Sequence, residues 1–180
     1  MNRFILVAIA LLLVLGIGGY FLYTSNQSMT LPEVESSVEV GDMDRWPVAL
    51  TVSLFFYDPT RDQDAQGNIM CSDKGLIPVS RTITTITPIE DTVRLLLSGN
   101  LTVEERAEGI TTEYPLSGVS LTSVTLGEDG ELRVALNDPE GRTGGGSCRV
   151  AVLAAQIRAT ALQFPEVRKV TFEPEDLFQP

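Results

Sequence analysis

Hydrophobic positions along this chain change their period several times, and each change marks an element. From Phe4 to Tyr23 the run FILVAIALLLVLGIGGYFLY is apolar without a charge, about the 20 residues a helix needs to cross hydrocarbon. Residues 24–45 are polar and carry five acidic side chains, the pattern of a solvated spacer. The next segment, WPVALTVSLFFYDPT, alternates: Val48, Leu50, Val52, Leu54 and Phe56 share one face, as in a strand buried on that side. After a polar loop from Thr60 to Lys74, GLIPVSRTI gives a second strand with Ile77, Val79 and Ile83 in register and Arg81 interrupting it.

The period then lengthens to that of a helix. In TPIEDTVRLLLSG, Thr87 stands as cap, Pro88 at the first helical position and Gly99 past the end, with Ile89, Val93, Leu96 and Leu97 as the buried stripe. In LTVEERAEG, Thr102 and Glu105 are spaced as a capping box for a short exposed helix. GVSLTSVTLGEDGELRVALND reads as a hairpin turning at Gly127 to Gly130, with a bulge expected at Thr122 and Ser123, where the alternation slips. SCRVAVLAAQIRATALQFPEV sets Val150, Leu153, Ala154, Ile157, Ala161 and Phe164 three or four apart, with Ser147 as the expected cap and Pro165 as the stop. A last strand through Val170 and Phe172 precedes an acidic, Pro-rich tail. The order predicts an α+β fold: one small mixed sheet with two main helices packed on one face, preceded by a transmembrane helix.

Composition narrows the setting. The first 23 residues are expected to be an uncleaved anchor, because Tyr20, Phe21, Leu22 and Tyr23 occupy the place where a cleaved signal peptide has small residues. No cysteine follows the apolar run closely enough for a lipoprotein anchor. Arg3 precedes the run and Glu33 and Glu35 follow it, which predicts a cytoplasmic N-terminal tip and an extracytoplasmic domain over residues 46–180. A net charge of -11, from 24 acidic and 13 basic residues, opposes binding to nucleic acid. The sequence contains no His, which removes Ser-His and Cys-His catalysis and His-ligated zinc together.

Three constellations remain. Cys71 and Cys148, the two cysteines, fall in the exported part and are expected to form a disulfide; closing a loop of that length is worth on the order of 4 kcal/mol in the chain-entropy account. The loop DQDAQGNIMCSD places Asp62, Asp64, Gln66 and Asp73 at ligand positions of an EF-hand-like calcium loop, with Gly67 at the bend, and a solvated Asp/Gly turn is the competing reading. The turn Gly144, Gly145, Gly146, Ser147, flanked by Arg142 and Arg149, lacks any phosphate-loop spacing but leaves an anion or glycan contact open. Nothing selects a pair of carboxylates for acid–base work, so the expectation is a non-catalytic protein without a cofactor, calcium apart.

Taken in order, VSLFFYD, GLIPVSRTI, IEDTVRLLLSG, GVSLTSVTL with ELRVALND, and VLAAQIRATALQFPEVRKVTF resemble the GerMN domain of sporulation and spore-germination proteins over roughly Val48 to Phe172. The resemblance implies a fold similar to the ring-building modules of sporulation complexes, with one copy here. It also implies a membrane-tethered envelope role: binding a protein partner or peptidoglycan, with homo-oligomers open. A calcium-dependent binder and a peptidoglycan-remodelling hydrolase are the alternatives.

Overall fold

A computed structural model describes residues 46–180, so the expected anchor (1–23) and spacer (24–45) lie outside the described residues. Strand β1 (Val48–Tyr57) pairs antiparallel with β2 (Leu76–Thr85) in unbroken register, from Val48 opposite Thr85 to Tyr57 opposite Leu76. Helix α1 (Pro88–Leu97) and short helix α2 (Val103–Ala107) follow. Strands β3 (Ser120–Leu126) and β4 (Glu131–Asn137) form the expected hairpin; helix α3 (Ser147–Ala161) then leads to β5 (Lys169–Glu173), which runs parallel to β4.

The element order matches the sequence pattern, but the strands divide into two sheets, β1–β2 and β3–β4–β5. The helices are not confined to one face of a single sheet: α3 touches both β1 and β5, and α1 touches β1 and β3 as well as α3. One apolar cluster therefore unites both sheets, with Leu54 and Phe56 of β1, Val93 and Leu96 of α1, Leu132 and Val134 of β4, and Leu153 and Ile157 of α3 all buried.

The division has a local cause. A third strand would join β1 along its outer edge, and from Ser53 to Tyr57 that edge is already taken. The Ser53 N–H donates to Gln163 Oε1 at 2.8 Å, and Gln163 Nε2 donates back to the Ser53 carbonyl at 2.8 Å. Two residues on, the Phe55 N–H donates to Thr160 Oγ1 at 3.0 Å. Tyr57 then exchanges two backbone hydrogen bonds with Thr111, at 3.0 and 2.7 Å. The Gln163 amide thus takes the part of a neighbouring strand's peptide group, satisfying backbone groups that would otherwise be left unpaired.

Other local signals hold in detail. Thr102 and Glu105 form the capping box, with Glu105 N donating to Thr102 Oγ1 at 3.2 Å and Thr102 N to Glu105 Oε2 at 2.8 Å. The same Glu105 grips Arg81 through two hydrogen bonds of 2.8 and 2.7 Å, which explains the polar interruption in β2. The register slips between Leu121 and Ser123, leaving Thr122 as the bulge. Thr87 caps α1 by position only: its hydroxyl donates to Asp91 Oδ2 at 3.0 Å and accepts from no helix N–H. Helix α3 stops at Ala161, several residues before Pro165. The tail returns to the core, burying Leu177 and Phe178, with the Phe178 ring edge-on to Phe172 at 4.7 Å between centroids.

Candidate functional site

The site begins at the Tyr57 end of β1, where the Asp-rich loop leaves and the glycine turn returns. Cys71 and Cys148 form the expected disulfide, with Cα atoms 5.2 Å apart. It ties the loop to the first turn of α3, and Cys71 holds a left-handed backbone (φ 55°) in doing so.

Asp62 organises the loop from inside. It is 1% exposed and accepts from Tyr57 Oη at 2.7 Å and from the Ser72 N–H and hydroxyl at 2.5 Å each. Burial alone would raise its carboxyl pKa, but the Ser72 and Tyr57 donors outweigh that and hold it below the usual range. Burial, with the Asp62 carboxylate against it, pushes the Tyr57 phenol well up, so it stays a neutral donor. Asp64 closes a turn of its own, accepting from the backbone N–H groups of Gln66 (2.9 Å) and Asn68 (2.8 Å) and from Asn68 Nδ2 (2.9 Å).

In the loop the acidic side chains are engaged by partners of their own, and among the described residues no three acidic, Cys or His side chains gather where they could hold a metal ion. Asp62 points inward to Tyr57 and Ser72, and Asp73 lies in a one-turn 3-10 helix with Lys74 and Gly75. Gly75 sits where any Cβ would collide with the Tyr57 ring, which fixes how closely that turn approaches β1.

The glycine turn is likewise internally bonded. Asp138 accepts from the Arg142 N–H (2.8 Å) and from the Thr143 N–H and hydroxyl (2.8 Å each). Its carboxyl, which burial would raise, is held low mainly by those Thr143 donors. Arg149 donates to Glu113 at 2.6 Å, to the Arg142 carbonyl at 3.0 Å and to the Gly144 carbonyl. Arg142 is paired with Glu140 at 2.7 Å. The two arginines expected to flank an anion therefore brace the turn. Ser147 is the first residue of α3 and not its cap; Gly146, with an extended backbone, holds the cap position and makes no side-chain bond.

Between these two braced segments lies a groove of about 530 Å³. Tyr57, Val152 and Leu153 supply its apolar lining, Ile69 stands 49% exposed, and Thr112, Glu113, Ser147, Arg149 and Gln156 bring polar groups. Gln156 is fully buried and accepts from Thr112 Oγ1 at 2.9 Å. Beneath it, Tyr114 Oη donates to the Leu153 carbonyl at 3.1 Å, and burial drives that phenol's pKa far up. The groove offers shape, an apolar surface and a few fixed hydrogen-bonding groups. Neither phenol is poised to exchange a proton near neutrality, and the sequence has no His to do so. A larger recess of about 890 Å³ between α3, β5 and the tail has charges of both signs and none of the candidate disulfide, calcium-loop or glycine-turn residues.

Sequence reasoning located the disulfide, the loop and the glycine turn, but missed Thr111, Thr112, Glu113 and Gln156. Only Gln156 carried a signal: a polar residue beside Ile157 on the apolar stripe of α3.

Fold and groove together define a small α+β domain in which a covalent staple borders the recess. The family model for sporulation and spore germination, Germane, matches residues 53–176, and the chain belongs to that family. A solved structure of the tandem GerMN domains of the sporulation protein GerM from Bacillus subtilis is 17% identical, with a TM-score of 0.49, covering 73% of this chain and 42% of that one. This chain thus spans less than half of that tandem structure. A candidate lipoprotein from Clostridium perfringens is 16% identical, with a TM-score of 0.33, covering 69% of this chain and 73% of that one. No curated protein matches the sequence.

Proposed function

We propose that this chain is a non-catalytic module of the cell envelope, tethered to the membrane by residues 1–23, that binds a protein partner in the groove beside the Cys71–Cys148 disulfide. The observation that carries this reading is the groove itself: apolar at Tyr57, Val152 and Leu153, with Ile69 exposed on its edge. An apolar side chain of a partner is a better match to that surface than a sugar. Sugar rings are usually held by exposed aromatic faces, and the one aromatic here, Tyr57, is 6% exposed. Family membership supports a role in sporulation or germination. Peptidoglycan is the second reading, favoured by the polar group of Thr112, Glu113 and Arg149 on the same groove.

Two assays run side by side on the full chain and on Ile69→Asp test this. One captures proteins from solubilised envelopes; the other sediments the chain with purified peptidoglycan and assays the supernatant for soluble fragments. The expected result is a retained protein whose yield falls sharply with Ile69→Asp. Retention on peptidoglycan alone would move the ligand to the glycan class, and released fragments would overturn the non-catalytic reading. Retention lost on adding a chelator would favour the calcium-dependent alternative, and no retention in either assay would remove the groove as a binding site.

A further inference from the structure

The opposite end of β1 is built differently. Trp46 is 75% exposed, Val48 is 54% exposed, and Ile86, which directly follows Val48's cross-strand partner Thr85, is 49% exposed. Leu126, 39% exposed, lines a small recess with Pro88 and Ile89 just beyond. The end of the β1–β2 pair thus gathers large apolar side chains that the core does not use, although Val48 lies in the same alternation as the buried Val52, Leu54 and Phe56.

We propose that this end of the domain is a membrane-contacting surface, with Trp46, Val48 and Ile86 seated among zwitterionic lipid headgroups. The proposal rests on the membrane tether of the function proposed above. Three observations choose a bilayer as the occupant. The patch lies where the chain enters the domain, roughly twenty residues after the uncharged Phe4–Tyr23 run, and a chain of that length reaches at most about 75 Å. A bilayer holding that run is therefore always within reach, and tethering keeps even a weak surface contact populated. Trp is the residue best suited to the headgroup layer, where one edge is apolar and the other wet. The charges beside the patch are of both signs with acid in excess: Glu90, paired with Arg94, and Asp91 in the first turn of α1, Glu166 by Leu126, and Arg45 next to Trp46 in the sequence. Such a rim suits headgroups that carry both signs better than an anionic surface. From Ser53 to Tyr57 the outer edge of β1 is taken by Gln163, Thr160 and Thr111, which leaves a second copy only the first residues of that strand to pair with.

Trp46 is the only tryptophan in the sequence, so its fluorescence reports on this end alone. The full chain is reconstituted into phosphatidylcholine vesicles and floated. We expect Trp46 emission to shift to the blue, to lose most of its intensity to brominated phosphatidylcholine, and to be shielded from aqueous iodide. Val48→Ser combined with Ile86→Ser, mild changes at half-exposed positions, should restore iodide access while the urea midpoint stays near that of the parent. A chain that floats while Trp46 stays open to iodide and untouched by the brominated lipid overturns the docking surface and leaves the tether standing. A chain that does not float overturns both. The blue shift appearing in detergent together with a doubled mass assigns the patch to a second copy and also overturns the proposal.

Discussion

The two ends of β1 show how one alternating strand serves opposite purposes. At the Tyr57 end, Asp62, Ser72, Arg149 and Asp138 are bonded to neighbours, a disulfide closes the loop, and the groove between is shaped by groups with little freedom left. At the Trp46 end the same periodicity runs past the core and leaves apolar side chains uncovered. Alternation reports which way a side chain points; whether anything lies there to cover it is decided by the packing of distant elements. The Tyr57 end should therefore respond strongly to substitution and the Trp46 end hardly at all.

The largest difference should come from the staple. Cys71→Ser combined with Cys148→Ser should lower stability by about 4 kcal/mol, since the cross-link constrains a loop of 77 residues in the unfolded chain. Urea unfolding with and without reductant reads this directly, and a parent midpoint indifferent to reductant would break the comparison. Next, Asp62→Ala should cost about 2–3 kcal/mol, because it leaves the Tyr57 hydroxyl and the Ser72 donors without a partner. Trp46→Ala in the same assay, without lipid, should stay within about 0.5 kcal/mol. Gln163→Leu tests the covered edge: loss of two hydrogen bonds to Ser53 should cost about 1–2 kcal/mol and favour self-association on prolonged incubation. Light scattering measures the second part.

The gentlest probe is pH. Asp58 is held low chiefly by the Thr60 hydroxyl, Glu105 by Arg81, and Asp62 and Asp138 by donors that outweigh their burial. A carboxyl whose folded pKa lies below its unfolded value stabilises the fold fully above the unfolded value, about 4, and loses that contribution as pH falls through the folded one. The urea midpoint should thus be level between pH 7 and pH 5 and fall below pH 4. Asp62 lies in the loop, Asp58 just before it, and Asp138 accepts from the residues leading into the glycine turn, so Asp62→Asn should flatten part of that fall, and an unchanged profile would show the acid limb to arise elsewhere.

What the sequence made legible was local. The capping box of Thr102 and Glu105, the Thr122 bulge, the Gly127–Gly130 hairpin turn and the stripe of α3 are encoded within a few residues of one another. The cysteine pairing was legible because there was one possible partner. The second sheet was not, because it depends on Gln163 and Thr160 meeting Ser53 and Phe55 across 110 and 105 residues. The same holds for Arg149, whose bonds to Glu113, Arg142 and Gly144 make it a brace of the turn that its spacing alone does not reveal. Asp62 shows the same limit: its spacing matches a ligand position of a calcium loop, and its hydrogen bond from Tyr57 five residues earlier is not legible in that spacing.

The Gln163 plug on β1 has a kinetic consequence as well. The Ser53 and Phe55 amides lie on the outer edge of a two-stranded sheet, where exchange with deuterium would ordinarily be fast. Here the Phe55 amide is locked to Thr160 in the last turn of α3 and the Ser53 amide to Gln163 just past its end, so both should exchange only when that end of α3 lifts from the sheet. Those two amides would then time a rare opening of the whole core, and the strand would stay closed to strangers for as long as the helix remains in place.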